Sequence, residues 1–235
     1  MDNNYALEIE GFSFSYGDGA DALRDITIRI PYGQSVGIIG HNGSGKTTLL
    51  MHIVGILAPR PGITVAGIPL TPKSLHDVRR RIGYVFQDSR DQLFMPTVIE
   101  DVAFGPLNMG LSRDDAISKA DDALQAVGMA DERDRQPYHL SGGEMRRVAI
   151  ASVLAMSPEI LIMDEPSSGL DPRAKRDLAS LISDLSCTRL ITSHDLEFVR
   201  KCTDRVVLLS HGSVAADGPA ATILDDEGLL VEYGL

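Results

Sequence analysis

A chain of 235 residues with 43% hydrophobic and 23% charged side chains can bury one sizeable core, which excludes two independent enzymes, a fibrous repeat and a disordered chain. With 33 acidic against 22 basic side chains the net charge is −11, a field that repels nucleic acid and anionic lipid. The longest strongly apolar run, Val148 to Met156, is far short of the ~20 residues of a membrane-spanning helix, and the N-terminus lacks a basic-then-apolar signal pattern. The expectation is a cytoplasmic chain that meets a membrane only through a protein partner.

In chain order, apolar and polar residues alternate from Tyr5 to Ser15 and from Leu23 to Ile30, which predicts two half-exposed strands, and Ser35-Val36-Gly37-Ile38-Ile39 predicts a buried one. From Gly45 the spacing turns helical: Leu49, Leu50, Ile53, Val54 and Leu57 form a stripe that ends before Pro59 and Pro61. Residues 89–157 carry apolar periods of three and four, which predicts a helical subdomain. Inside it Ser112-Arg113-Asp114-Asp115 resembles a capping box, and Gly128 suits the far end of that helix. There follow a buried strand at Ile160 to Met163, a helix from Pro172 to Leu185, strands at Arg189 to Thr192 and Arg205 to Leu209, a hairpin-like turn near Gly212 and a short helix near Pro219 to Leu224. This alternation predicts a parallel α/β core, with no regulatory domain expected after it. Cys187 and Cys202 lack the spacing of a zinc site and read as reduced packing thiols.

Three segments carry chemistry. Gly40-His41-Asn42-Gly43-Ser44-Gly45-Lys46-Thr47 satisfies the phosphate-loop pattern and lies between a predicted strand and a predicted helix, as the mechanism requires. Its glycines let backbone N–H groups wrap a phosphate chain, the helix N-terminus adds positive potential, Lys46 reaches the outer phosphates and Thr47 offers a hydroxyl to Mg²⁺. Asp164 and Glu165 follow a buried run and so sit at the carboxyl end of a strand, where one carboxylate can hold Mg²⁺ and the next can activate water. Alone, such a pair is as readily a solvated acidic turn. Leu140-Ser141-Gly142-Gly143-Glu144 precedes an apolar helix and forms a second anion-binding device. One nucleotide needs no second device so far along the chain unless it serves the nucleotide of another subunit.

With these motifs in order, the chain resembles the ATP-binding subunits of ABC transporters over its full length. The resemblance implies an α/β fold: a P-loop NTPase (RecA-like) core with an antiparallel β subdomain and an inserted helical subdomain, residues 1–235 forming a single ATP-binding domain. It implies ATP and Mg²⁺ as cofactors and assigns roles by position. Tyr16 looks like the aromatic residue that stacks on adenine, Gly40 to Thr48 like the Walker A loop, and Gln87 like the loop glutamine near Mg²⁺ that senses the membrane partner. Thr47, Gln87 and Asp164 would serve the metal, Glu165 would be the catalytic base, and His194 the switch histidine at the terminal phosphate. Ser141, Gly142 and Gly143 of the signature and Asp171 of the dimer-facing loop Ser168 to Asp171 would act in trans, in a head-to-tail homodimer that closes on ATP and reopens after hydrolysis. His41, as a side chain, and His52, His76, His139 and His211 gain no such support and read as structural or surface residues.

One departure is Glu144, where the family's signature ends in glutamine. Because a carboxylate aimed at the terminal phosphate would repel it, the expectation is that Glu144 turns away and pairs with a nearby cation, such as Arg146 or Arg147.

The segment Phe86-Gln87-Asp88-Ser89-Arg90-Asp91-Gln92-Leu93-Phe94, the stretch from Thr97 to Leu107 and Arg146 to Ala151 are similar to the energy-coupling-factor branch of importers. The glutamate-ended signature, short chain and closing Glu232-Tyr233-Gly234-Leu235 look most like cobalt and nickel importer ATPases. This resemblance implies a membrane-embedded coupling subunit and a substrate-capturing subunit as partners, at the cytoplasmic face of the cell membrane. The alternatives are a vitamin importer of the same branch, a soluble ABC ATPase of repair or ribosome type, and a small-molecule kinase or GTPase, in which the Leu140 to Glu144 motif would have no role.

Overall fold

The computed structural model describes residues 4–17, 19 and 21–235. Strands β1 (Tyr5–Ser15) and β2 (Asp21–Pro31) pair antiparallel, as their alternation predicts. Within β1 the register shifts between Ile9 and Phe12, where Gly11 takes φ 57. The bulge resets the two-residue phase, so that Phe12 and Phe14 continue the inward row begun by Leu7 and Ile9. Strands β4 (Ile63–Val65) and β5 (Ile68–Pro69) complete this sheet in the order β2-β1-β4-β5.

The second sheet is built from β3 (Ser35–Ile39), β6 (Ile82–Val85), β7 (Ile160–Asp164), β8 (Thr188–Thr192), β9 (Arg205–Ser210) and β10 (Ser213–Pro219), in the order β10-β9-β3-β8-β7-β6. All neighbours are parallel except β10, which returns from β9 through a hairpin at Gly212. Strands β3, β7 and β8 are buried along their whole length, because helices and the antiparallel sheet cover both faces. The period of two survives inside: Ile160 and Ile162 pack with the antiparallel sheet and helix α1 (Lys46–Ile53), whereas Leu161 and Met163 pack with the helices opposite. Each of these buried side chains contributes about 1.5–3 kcal/mol.

Among the described residues no strand occurs in 89–157, which holds α3 (Val98–Asn108), α4 (Arg113–Ala126) and α5 (Gly142–Leu154). Ser112 caps α4 by accepting from the Asp115 N–H at 3.2 Å. Thr97 and Glu100 form a full capping box on α3 that the sequence reading had not singled out. The three helices share one continuous core with Leu178 and Ile182 of α6 (Pro172–Ser183), so α5 belongs to both the helical layer and the sheet.

The extent of one predicted helix needs correction, and several elements were not expected. Helix α1 stops at Ile53 instead of running on to Leu57, because Gly55 takes φ 65 and the last turn closes differently: the Gly55 N–H donates to the His52 carbonyl and the Ile56 N–H to that of Met51. The short elements β4, β5, α2 (Leu75–Arg79) and β6, the helix α7 (Leu196–Cys202), and α9 (Glu227–Glu232), which follows the expected α8 (Ala220–Leu224), had no assigned sequence signal. Both cysteines are free, and burial raises both thiols, Cys202 to about 12, which suits the packing role.

Candidate nucleotide-binding site

Strand β3 delivers the chain to residues 40–45, and α1 begins at Lys46. Gly45 adopts φ 106, and a Cβ there would lie 2.8 Å from the Ala22 carbonyl oxygen, so the tight entry to the helix demands glycine. The Lys46 ammonium donates to the carbonyls of Gly40 at 2.7 Å and His41 at 3.1 Å, inside the curve of the loop. Burial lowers its pKa, while Glu165 and then Asp164 oppose that fall. The Gly212 N–H donates to the Ser44 carbonyl, which ties the loop to the β9–β10 turn. Tyr16 stands at the rim with its hydroxyl 3.0 Å from that of Thr48.

Parallel strands β7 and β8 end side by side, with Asp164 in register with Thr192. The Thr192 hydroxyl donates to Asp164 Oδ1 at 2.5 Å, and the Tyr84 hydroxyl donates to Oδ2 at 3.3 Å, so this carboxylate is oriented from two strands. Glu165, one residue beyond the strand, holds φ 47, a left-handed conformation that a non-glycine residue adopts at a cost of order 1–3 kcal/mol. Its N–H is fixed by the Thr192 carbonyl and hydroxyl. Its Oε2 lies 2.8 Å from Nδ1 of His194 and accepts from the His194 N–H at 3.3 Å.

A cavity of about 870 Å³ is lined by Tyr16, Gly40, His41, Asn42, Gly43, Gly45, Lys46, Thr47, Thr48, Gln87, Glu165 and His194. Twelve of the thirteen residues expected on sequence grounds to hold or cleave the nucleotide within one chain therefore meet there. The exception, Ser44, is fully buried beneath the loop. A neighbouring cavity of about 610 Å³ brings Thr47, Gln87 and Asp164 together with Gly142. Ser141, Gly143 and Asp171 line neither cavity.

Ser141 is the N-cap of α5, and its N–H donates to Glu144 Oε2 at 2.7 Å in a capping box. The expected pairing of Glu144 with Arg146 or Arg147 is corrected: the backbone N–H of Ser141 holds the Glu144 carboxyl below its usual range, and the arginines are engaged elsewhere. Arg147 donates to the Val127 carbonyl, whereas Arg146 donates to the carbonyls of Phe86 and Gln87. Gln92 adds a parallel link, donating to the Ala149 carbonyl and accepting from the Phe86 N–H. Sequence reasoning missed Arg146 and Gln92 in these roles, because a link between segments about sixty residues apart leaves no periodic trace.

Asp171 caps α6 by accepting from the N–H groups of Arg173 and Ala174, which hold its carboxyl below the usual range. One turn on, Lys175 donates to Asp195 at 2.6 Å. Asp195 is also the N-cap of α7, immediately after His194.

The sequence matches the ABC transporter family over residues 23–168. The chain belongs to the ATP-binding subunits of that family. Members hydrolyse ATP, and this ABC subunit is 49% identical to a putative ABC transporter ATP-binding protein of Geobacter sulfurreducens, over 97% of its own length and 92% of that protein. It is 44% identical to the cobalt import ATP-binding protein CbiO of Rhodobacter capsulatus, over 97% of its length and 84% of the relative. Its fold superposes on that of cbiO1 from Clostridium perfringens, part of the ABC transporter complex cbiONQ, with a TM-score of 0.88 at 36% identity, covering 97% of this chain and 94% of that one. The ABC ATPase fold expected from the sequence is therefore the fold observed.

Proposed function

We propose that this ABC subunit hydrolyses ATP as a homodimer to drive an importer of the energy-coupling-factor type, with cobalt or nickel ions as the cargo. One observation carries the ATP chemistry: Lys46, Glu165 and His194 line a single cavity, and the Glu165 carboxylate is held 2.8 Å from His194. In this reading Tyr16 stacks on the purine and the 40–45 backbone with the α1 N-terminus cradles the phosphates. Lys46 exchanges its loop carbonyls for phosphate oxygens. Glu165 then orients and deprotonates one water, with His194 kept in place to meet the terminal phosphate. The strained backbone of Glu165 fits such a role.

Thr47, Gln87 and Asp164 offer hard oxygen donors to one cavity, which suits Mg²⁺. Bound there, Mg²⁺ would neutralise charge on the phosphates. Thr192 and Tyr84 keep the Asp164 carboxylate turned toward it.

The homodimer reading is supported by the position of Ser141, Gly143 and Asp171 outside the cavity that holds Lys46. They serve the partner's nucleotide, and the partner's copies serve this one. A membrane partner is supported by a groove of about 420 Å³ beside the Gln87 segment, lined in part by Tyr84, Phe86, Phe94, Phe104 and Met156. Phe94 is 63% exposed there, an apolar surface that fits a docking helix of a coupling subunit. Among the described residues no helix is long and apolar enough to cross a membrane. In this reading the subunit attaches at the cytoplasmic face through that partner, which works with a substrate-capturing subunit. The cargo rests on the similarity to CbiO of Rhodobacter capsulatus.

The test is to isolate the tagged chain with its membrane partners from native cells, reconstitute the complex in liposomes and measure uptake of labelled cobalt, nickel and vitamins. ATP-dependent uptake of cobalt or nickel supports the reading. Uptake of a vitamin without either metal overturns the cargo.

A further inference from the structure

His52 is 1% exposed, and neither of its ring nitrogens has a hydrogen-bond partner among the described residues. Burial, reinforced by Arg60, holds the imidazole pKa down to about 4, so the ring is neutral. Leaving a polar group buried and unpaired costs about 1–3 kcal/mol, a cost that a leucine in the same slot would avoid. The slot is aromatic. The His52 ring meets Phe14 edge-on, with centroids 4.4 Å apart, and Phe12 at 5.0 Å. Phe14 in turn meets Tyr16 edge-on at 4.8 Å and carries the Arg60 guanidinium over its face at 4.9 Å.

The periodicities explain the contact. Phe12, Phe14 and Tyr16 alternate along β1 and its extension and so share a face, while Thr48 and His52, four residues apart, share a face of α1. The two rows engage rung by rung: Thr48 with the Tyr16 hydroxyl, and His52 with Phe14 and Phe12. The helix whose N-terminus forms the phosphate loop thereby also grips the row that ends in Tyr16.

We propose that His52 is a positioning residue for nucleotide binding: wedged against Phe12 and Phe14, it fixes the ring angle of Phe14 and, through it, of Tyr16, so that the purine platform is keyed to the phosphate loop. A branched aliphatic side chain fills the slot but sets no ring angle, because edge-to-face geometry needs a planar partner. The inference rests on the reading of Tyr16 as the purine-stacking residue.

The test compares wild type, His52→Leu, Tyr16→Ala and the double variant by steady-state ATP hydrolysis, with inorganic tripolyphosphate as a competitive inhibitor that has no base. The expected result is that His52→Leu raises KM for ATP about 3- to 10-fold, keeps kcat within about twofold and leaves inhibition by tripolyphosphate unchanged. In the Tyr16→Ala background it adds nothing further, and His52→Phe, which restores a planar ring, recovers most of the loss. If His52→Leu yields no folded protein, His52→Gln reads the same coupling. An unchanged KM, equal weakening of ATP and tripolyphosphate, or effects that multiply in the double variant would each overturn the inference. A Tyr16→Ala variant with wild-type KM defeats the stacking reading itself, and is told apart because it needs no His52 substitution.

Discussion

Arg146 donates to the carbonyl oxygens of Phe86 at 2.6 Å and Gln87 at 2.5 Å, from a position only 4% exposed. One buried guanidinium thus joins α5, which starts at the Ser141 turn, to the segment that lines both cavities and borders the apolar groove. These two bonds tie the backbone of that segment to the helix that begins at Ser141.

Arg146→Met leaves the two carbonyls without their donor. Because hydrogen bonds to a charged group contribute about 1.5–3 kcal/mol, the expected loss is about 2–4 kcal/mol in chemical denaturation, with Arg146→Lys restoring part of it. Melting curves of the three proteins check this, and a Met variant as stable as wild type would show that the link is idle.

Asp195→Asn separates two roles of one side chain. Asparagine still accepts from the Phe198 N–H and caps α7, but the 2.6 Å ion pair with Lys175 is lost. Since the pair is partly exposed, stability should fall by only about 0.5–1 kcal/mol. Asp195 follows His194 directly, so loosening it should lower kcat about 3- to 10-fold with KM within about twofold in steady-state assays.

His52 makes stability depend on pH. Its ring titrates near 6.5 when unfolded and at about 4 when folded, so between these values only the unfolded chain takes up the proton. Proton uptake by the unfolded chain costs the fold little above pH 6.5, lowers stability progressively as the pH falls, amounts to about 3 kcal/mol at pH 4 and levels off below that. Denaturation midpoints at a series of pH values, compared with His52→Leu, isolate this contribution as the difference in slope between the two proteins.

Much of this was legible in the sequence, because the decisive signals are local. A phosphate loop between a β-run and a helical stripe, and a carboxylate pair after Ile160 to Met163, fix chemistry within a few residues of chain. The Glu144 pairing failed because the nearest cations in sequence, Arg146 and Arg147, point elsewhere on the helix, while the Ser141 N–H lies one turn back and within reach. The elements between residues 62 and 88 are two to five residues long, too short for periodicity to register. His52 is the buried structural residue expected, but its aromatic partners could not be named from the sequence, because they lie on β1, some forty positions away. Only the fold brings them together.

In the proposed cycle Glu165 activates water for an ATP held between two copies of this chain. This step is tested most directly with Glu165→Gln, incubated with ATP and Mg²⁺, by light scattering together with extraction of bound nucleotide. The expected result is a stable dimer holding two ATP, with hydrolysis slowed about 100-fold or more. A monomer that turns over ATP at the wild-type rate would contradict it.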